Sequence, residues 1–149
     1  MRGLLTLLLL LAAGCASTPG ESATLPAGTI ESVEAVLARL EATIGTNDAR
    51  SQSAEVSRDF APSYDGLLDQ IRSSVQAFDV ERVQLTRDTT TQDREGKTLV
   101  VDVRFDLRRR GRSSGASESV AGRTRLRYRL EGDRYRLIGQ EGDALLGRP

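Results

Sequence analysis

The chain has 149 residues, with 21 basic and 21 acidic side chains, so it is formally neutral; it contains no His, no Trp and one cysteine, Cys15. That length suits a single domain. Without His, and with one Cys near the start, no Cys/His zinc site, no Ser-His or Cys-His catalytic pair and no intramolecular disulfide can be assembled.

Arg2 gives a short positive start, Leu4 to Leu11 is an apolar run broken only by Thr6, and Ala12-Ala13-Gly14-Cys15 closes it with small residues. A membrane-spanning helix needs about 20 apolar residues, so residues 1–14 read as a signal peptide. The run Leu11-Ala12-Ala13-Gly14-Cys15 resembles the bacterial lipobox, in which signal peptidase II cuts before a cysteine that carries a diacylglycerol. Its one departure is Ala12, where leucine is commonest. The same residues also fit an ordinary secretory signal with Cys15 incidental. The place of the single cysteine favours lipidation at Cys15, with palmitate among the acyl chains. Two or three such chains anchor a small domain durably, at about 0.8 kcal/mol per buried methylene. The resemblance further implies outer-membrane sorting, because Asp, the residue that retains such lipoproteins at the inner membrane, is replaced by Ala16. The expected location is the cell envelope, on the outer membrane facing the periplasm, in a host with two membranes.

Residues 15–28 hold the candidate lipidated cysteine and a Ser-, Thr-, Pro- and Gly-rich stretch with little to bury, which reads as a flexible tether. From residue 29 the pattern becomes that of a folded domain, 29–149. Ile30, Val33, Val36, Leu37, Leu40 and Ile44 recur at helical spacing, with Thr29 as the expected cap and Gly45 as the stop. A second helix is predicted from a cap at Asn47 or Asp48 through Phe60, with Ala49, Val56 and Phe60 as its core contacts, until Pro62 breaks it. A third runs from about Tyr64, with Asp65 as the expected cap, to Phe78. It buries Leu67, Leu68, Ile71, Val75 and Phe78.

Past Asp79 the period changes to two. Val83 and Leu85 begin it; Leu99, Val101, Val103, Phe105 and Leu107 then alternate with outward residues. Val120, Leu126, Tyr128 and Leu130 line one face of the next strand, and Tyr135 and Leu137 follow the Glu131-Gly132-Asp133 turn. The expected turns between strands are Thr89 to Gly96 and Gly111 to Ser117. These patterns predict an α+β fold with four antiparallel strands, N-terminal helices on one sheet face and water on the other. The order of a helix at 29–44, the Ser57-Arg58-Asp59-Phe60 exit of the second helix, a helix at 64–78 and a closing hairpin around Glu131 to Ile138 resembles the NTF2-like (SnoaL-like) superfamily. That resemblance implies helices packed into the concavity of a curved antiparallel sheet, forming a cone. Tyr135 stands where such proteins commonly have a Trp. Small outer-membrane assembly lipoproteins share the order of helices before sheet, but no signature of theirs is present.

NTF2-like cones often enclose a pocket, and some members use Asp and His there for acid–base chemistry. A histidine-free member would have to use Asp59, Asp65, Tyr64, Tyr128 or Tyr135. Each has a simpler reading as a cap, a solvated acid or a core aromatic, so no catalytic residue is assigned. Asp88, Asp93 and Glu95 come closest to a carboxylate metal site, but Arg87, Arg94 and Lys97 interleave with them and would repel a cation. No metal or cofactor is expected.

The arginines are the most distinctive feature. They supply 20 of the 21 bases, and Lys97 is the only lysine. Residues 21–79 carry a net charge of −6 and residues 80–149 a net +5, with Arg2 completing neutrality. Arg123, Arg125, Arg127 and Arg129 share one strand face, with Arg134 and Arg136 on the neighbouring strand. Arg108, Arg109, Arg110 and Arg112 crowd a hairpin end. The six form a candidate anion-binding face. The competing reading is a solvated face in which Asp102, Asp106 and Glu131 serve as cross-strand partners. The sequence thus points to a membrane-anchored envelope lipoprotein with a non-catalytic binding domain, for a partner protein or an anionic lipid or polysaccharide. The alternative is a lipid-anchored hydrolase or isomerase with a carboxylate/Tyr pocket. No nucleic-acid binding is expected, since the arginine face lacks aromatics to stack bases.

Overall fold

The computed structural model describes residues 30–148, so Cys15, the lipobox pattern and the tether lie outside the described residues. Helix α1 spans Val33–Gly45, α2 Ala49–Ala54 and α3 Tyr64–Ala77. Strands β1 (Val56–Ala61), β2 (Phe78–Gln92), β3 (Thr98–Gly111), β4 (Ser117–Glu131) and β5 (Arg134–Gly142) form one sheet in the order β1-β5-β4-β3-β2. The pairs from β5 to β2 are antiparallel, whereas β1 runs parallel to β5.

The α+β expectation holds, with helices ahead of a curved sheet that they cover on one face. Bulges between Val80 and Arg82, between Arg87 and Thr89, and beside Arg127 help to bend it. Helix α1 buries Val36, Leu37, Leu40 and Ile44, and α3 buries Leu67, Leu68 and Ile71. Both stripes meet the inward row Leu99, Val101, Val103, Phe105 and Leu107 of β3 together with Leu126, Tyr128, Tyr135 and Leu137. The Phe105 ring folds over Gly122 on β4, where a Cβ would come within 2.6 Å of it.

Several local expectations are corrected. The sheet has five strands and is mixed, because residues 56–61 form β1 and do not continue the second helix. Helix α2 has a single fully buried residue, Gln52, and so no apolar stripe to sustain it. The Glu55 carbonyl then accepts the Leu137 N–H at 2.9 Å, and Val56 and Phe60 are buried from a strand. Ser32 caps α1, its Oγ accepting from the Ala35 N–H, and Ile30 lies outside the helix and is 46% exposed. Thr29 is outside the described residues. Asp48 caps α2 as expected, but Ser63 caps α3 and Asp65 sits in the first turn. Phe78 begins β2, which continues through Thr89–Gln92, so that turn narrows to residues 93–97.

Two features close the ends of the fold. At one end the C-terminal segment buries Leu145 and Leu146, whose N–H groups donate to the Gln140 Oε1. Arg109 takes the next inward position after Leu107. It lies over the Phe78 ring at 3.7 Å and donates to Glu118 and, at 3.0 Å, to the Arg148 carbonyl. At the other end Arg39 donates bidentately to Glu31 at 2.8 and 2.9 Å, to Glu55, and to the Tyr135 carbonyl at 3.0 Å. The side chains of Arg39, Glu31 and Glu55 are only 18%, 10% and 6% exposed.

Removing one partner of a buried ion pair strands the remaining charges at about 3–5 kcal/mol. Arg39→Met keeps the aliphatic stem, leaves Glu31 without its cation and leaves Glu55 only the longer contact to Arg134 at 3.5 Å. It should lower unfolding stability by that amount in urea denaturation. A loss below about 1 kcal/mol, the range of exposed pairs, would show that water replaces the guanidinium.

Candidate functional site

The outward sheet face consists of the residues that alternate with the core. On β4, Arg123, Arg125, Arg127 and Arg129 project from it between the buried Thr124, Leu126 and Tyr128. Register sets Arg129 opposite Thr98 and Arg136, Arg127 opposite Val100 and Gly139, Arg125 opposite Asp102 and Glu141, and Arg123 opposite Arg104. Arg134 stands opposite Glu131 and in phase with Arg136, so register places all six candidate arginines on this face. The Arg134 side chain turns to Glu55 at 3.5 Å, and its pKa is lowered by burial and by the nearby Arg39 charge.

Acids neutralise much of the row. Arg125 donates to both Asp102 oxygens, at 2.7 and 3.1 Å, and Thr89 Oγ1 donates to the same carboxylate at 2.6 Å. Hydrogen bonds from Arg125 and Thr89 hold the Asp102 carboxyl below its usual range. Arg129 donates to Asp59 at 2.6 Å and to Glu131 at 2.8 Å. The Ser57 hydroxyl and then Arg129 lower the Glu131 pKa. Arg104 pairs with Asp88 at 2.8 Å, and Arg127 meets Glu141 at 3.4 Å. Arg127 lies flat on Gly139, where a Cβ would come within 2.9 Å of its Nε, and that buried Nε has no acceptor among the described residues. Arg123 and Arg136 form no ion pair with an acid among the described residues. Asp102 thus takes the cross-strand role expected of it, whereas Glu131 pairs with Arg129 along its own strand and Asp106 forms no ion pair among the described residues. Asp59 and Glu141 were not anticipated, because they arrive from strands whose pairing the local pattern does not reveal.

The interior residues do not converge. Asp59 belongs to the outer face, Asp65 is exposed at the start of α3, and Tyr64 lies beneath the Arg58 guanidinium at 5.6 Å. Tyr135 is buried, its hydroxyl bonded to Gln92 and to the Gly96 carbonyl. Tyr128 is buried with its hydroxyl unpaired among the described residues. Between helices and sheet a cavity of about 20 Å³ lies among Ile44, Gln52, Val75, Phe78, Leu107 and Arg109, room for a single water. The acids near the β2–β3 turn do not form a metal cage: Asp88 pairs with Arg104, Glu95 with Lys97, and Asp93 accepts the Lys97 and Thr98 N–H groups. Sequence reasoning missed Arg109 and the two C-terminal leucines as interior residues, although Arg109 falls in phase with Leu99 to Leu107.

No family model and no curated protein matches this sequence. Solved structures do resemble it. An NTF2-like protein of unknown function in nutrient uptake from Rhodospirillum rubrum is 18% identical with a TM-score of 0.62, over 77% of this chain and 99% of that one. A ketosteroid isomerase-like protein from Erwinia carotovora atroseptica is 11% identical with a TM-score of 0.60, over 72% and 89%. A nuclear transport factor 2 (NTF2-like) superfamily protein from Salmonella enterica is 13% identical with a TM-score of 0.54, over 73% and 87%. At these identities the likeness establishes the fold, an α+β NTF2-like cone.

Burial raises the pKa of the Tyr128 phenol. Above the unfolded value of about 10, the unfolded chain releases this proton while the folded chain keeps it, so stability falls as pH rises past that point. Tyr128→Phe removes both the unpaired hydroxyl and this alkaline penalty. The variant should match or exceed the parent at neutral pH by up to about 1.5 kcal/mol and lose less stability above about pH 10, measured by urea titration at a series of pH values. A variant that is less stable at pH 7 would reveal a partner for the hydroxyl.

Proposed function

We propose that this chain is a membrane-anchored envelope lipoprotein whose NTF2-like domain is a binding module, directed through its outer sheet face at an anionic component of the envelope. The observation that carries this reading is the filled cone. Among the described residues, the cavity between helices and sheet beside Leu145 and Arg109 holds about 20 Å³, whereas a small-molecule site of the ordinary kind needs about 300 Å³ or more. That favours recognition on the surface over chemistry in the interior.

The anchor rests on the residues around Cys15, and the anion preference on the outward guanidiniums. Most of those are balanced by acids; Arg123 and Arg136 form no ion pair among the described residues, although the Arg136 charge helps to lower the Glu131 pKa. A guanidinium near an anionic lipid surface contributes about 1 kcal/mol.

Cells given labelled palmitate should label the parent chain, and a Cys15→Ala variant should carry no label and leave the membrane fraction. Equal labelling of both would refute the anchor. For the surface, the soluble domain should sediment with vesicles containing anionic lipid and not with neutral ones, and less so as salt rises. Arg123→Gln with Arg136→Gln should weaken that binding by about tenfold or more. Binding indifferent to both salt and this double change would rule the face out.

A further inference from the structure

The outward row of β4 changes character along its length. Arg123, Arg125, Arg127 and Arg129 fill one end, whereas Ser117, Ser119 and Ala121 fill the other. Over these small residues the outer face sinks into a depression of about 420 Å³. Register places Arg82 directly opposite Arg108, and Arg108 directly opposite Ser119. The adjacent row runs Gln84, Asp106, Ala121. Same-face neighbours on a strand stand about 7 Å apart, so the two rows together span one hexose ring.

Part of the polar lining is engaged and part is not. Arg108 pairs with Glu81 through its Nε at 3.0 Å, and Arg82 spends Nη2 on Gln84 at 2.8 Å. Asp106 and the Ser119 hydroxyl have no ion pair or side-chain hydrogen bond among the described residues. As in the neighbouring arginine row, a carboxylate answers one of the guanidiniums, Glu81 on Arg108, but Arg82 has no acid partner among the described residues. Two guanidiniums set directly across from one another repel, and an oxyanion shared between them turns that cost into charge-assisted hydrogen bonds. A carboxylate beside the pair discourages a bare phosphate but accepts readily from hydroxyl groups. Both demands are met by an anion that carries hydroxyls close to its phosphate.

We propose that this depression binds a phosphorylated saccharide, with the phosphate between Arg82 and Arg108 and the sugar hydroxyls on Asp106, Gln84 and Ser119. The inference rests on the reading that the outer face engages an anionic envelope component. It names the spot and the chemical class of that component.

Calorimetric titration of the full chain with glucose 6-phosphate, inorganic phosphate and glucose tests it. Glucose 6-phosphate should bind at least about fivefold more tightly than inorganic phosphate, and glucose should give no heat. Losing both charge-assisted contacts in Arg82→Gln with Arg108→Gln should cost about tenfold or more. Asp106→Asn should bring glucose 6-phosphate and inorganic phosphate to within about twofold of each other. Ala121→Phe, an exposed change without charge, should abolish the heat while leaving sedimentation with anionic vesicles intact; Arg123→Gln with Arg136→Gln should do the reverse. Equal affinity for the two phosphates in the parent, or sugar-phosphate binding untouched by Ala121→Phe, would overturn this site while leaving the broader surface reading standing. Loss of vesicle binding alone would overturn that broader reading and leave the site.

Discussion

One guanidinium holds three separate parts of the chain in register. Arg39 projects from α1 and reaches Glu31 just ahead of that helix, Glu55 where α2 gives way to β1, and the Tyr135 carbonyl at the start of β5. The three side chains are mostly buried, so the arrangement is stable only when every partner is present. Glu55 also passes its carbonyl to Leu137, which opens the parallel pairing of β1 with β5. Helix α1, the helix-to-strand switch after α2 and the last hairpin are thereby fixed to one another, and the mixed character of the sheet follows.

With that end pinned, the opposite end decides what the interior can hold. The inward row of β3 runs from Leu99 to Leu107 and then places Arg109 where an apolar residue would continue it. An arginine is tolerated there because Phe78 lies against its guanidinium, Glu118 takes its Nε, and the C-terminal segment supplies a carbonyl. The same segment delivers Leu145 and Leu146 into the core. Charge satisfaction and apolar filling at this end therefore come together in one segment of the chain.

The parts of this structure that were legible in the sequence are those where burial alone dictates the pattern. The stripes of α1 and α3 and the strict alternation of β3 follow directly from facing a single core. Strand β1 was not legible, because six residues with Val56 and Phe60 at helical spacing look alike in either state, and their partner Leu137 lies far along the chain. The arginine face was legible as a face, and Asp102 as one of its partners. Its near-neutrality was not, since Asp59 and Glu141 join it only through β1 and β5. The depression is written in the change from Ser119 and Ala121 to Arg123 on β4, but it gains meaning only once register brings Arg82 and Arg108 together.

A lattice of alternating arginines and carboxylates has consequences for how such a surface finds a target. Paired charges cancel beyond a Debye length of about 8–10 Å, so little long-range steering remains. Hydrogen-bond geometry at contact then decides what binds. On the proposed lipoprotein reading, an anchor at Cys15 would hold the sheet face near the membrane, where the effective concentration of envelope ligands would already be high. Attraction over distance would add little there, and the salt-dependent part of binding would come from the few guanidiniums that no acid pairs. Most of the row is balanced by acids, and the groups left without an ion pair among the described residues are Arg123 and Arg136 on the row and Arg82 and Asp106 where the sheet sinks, so contact geometry at those places sets which anion fits.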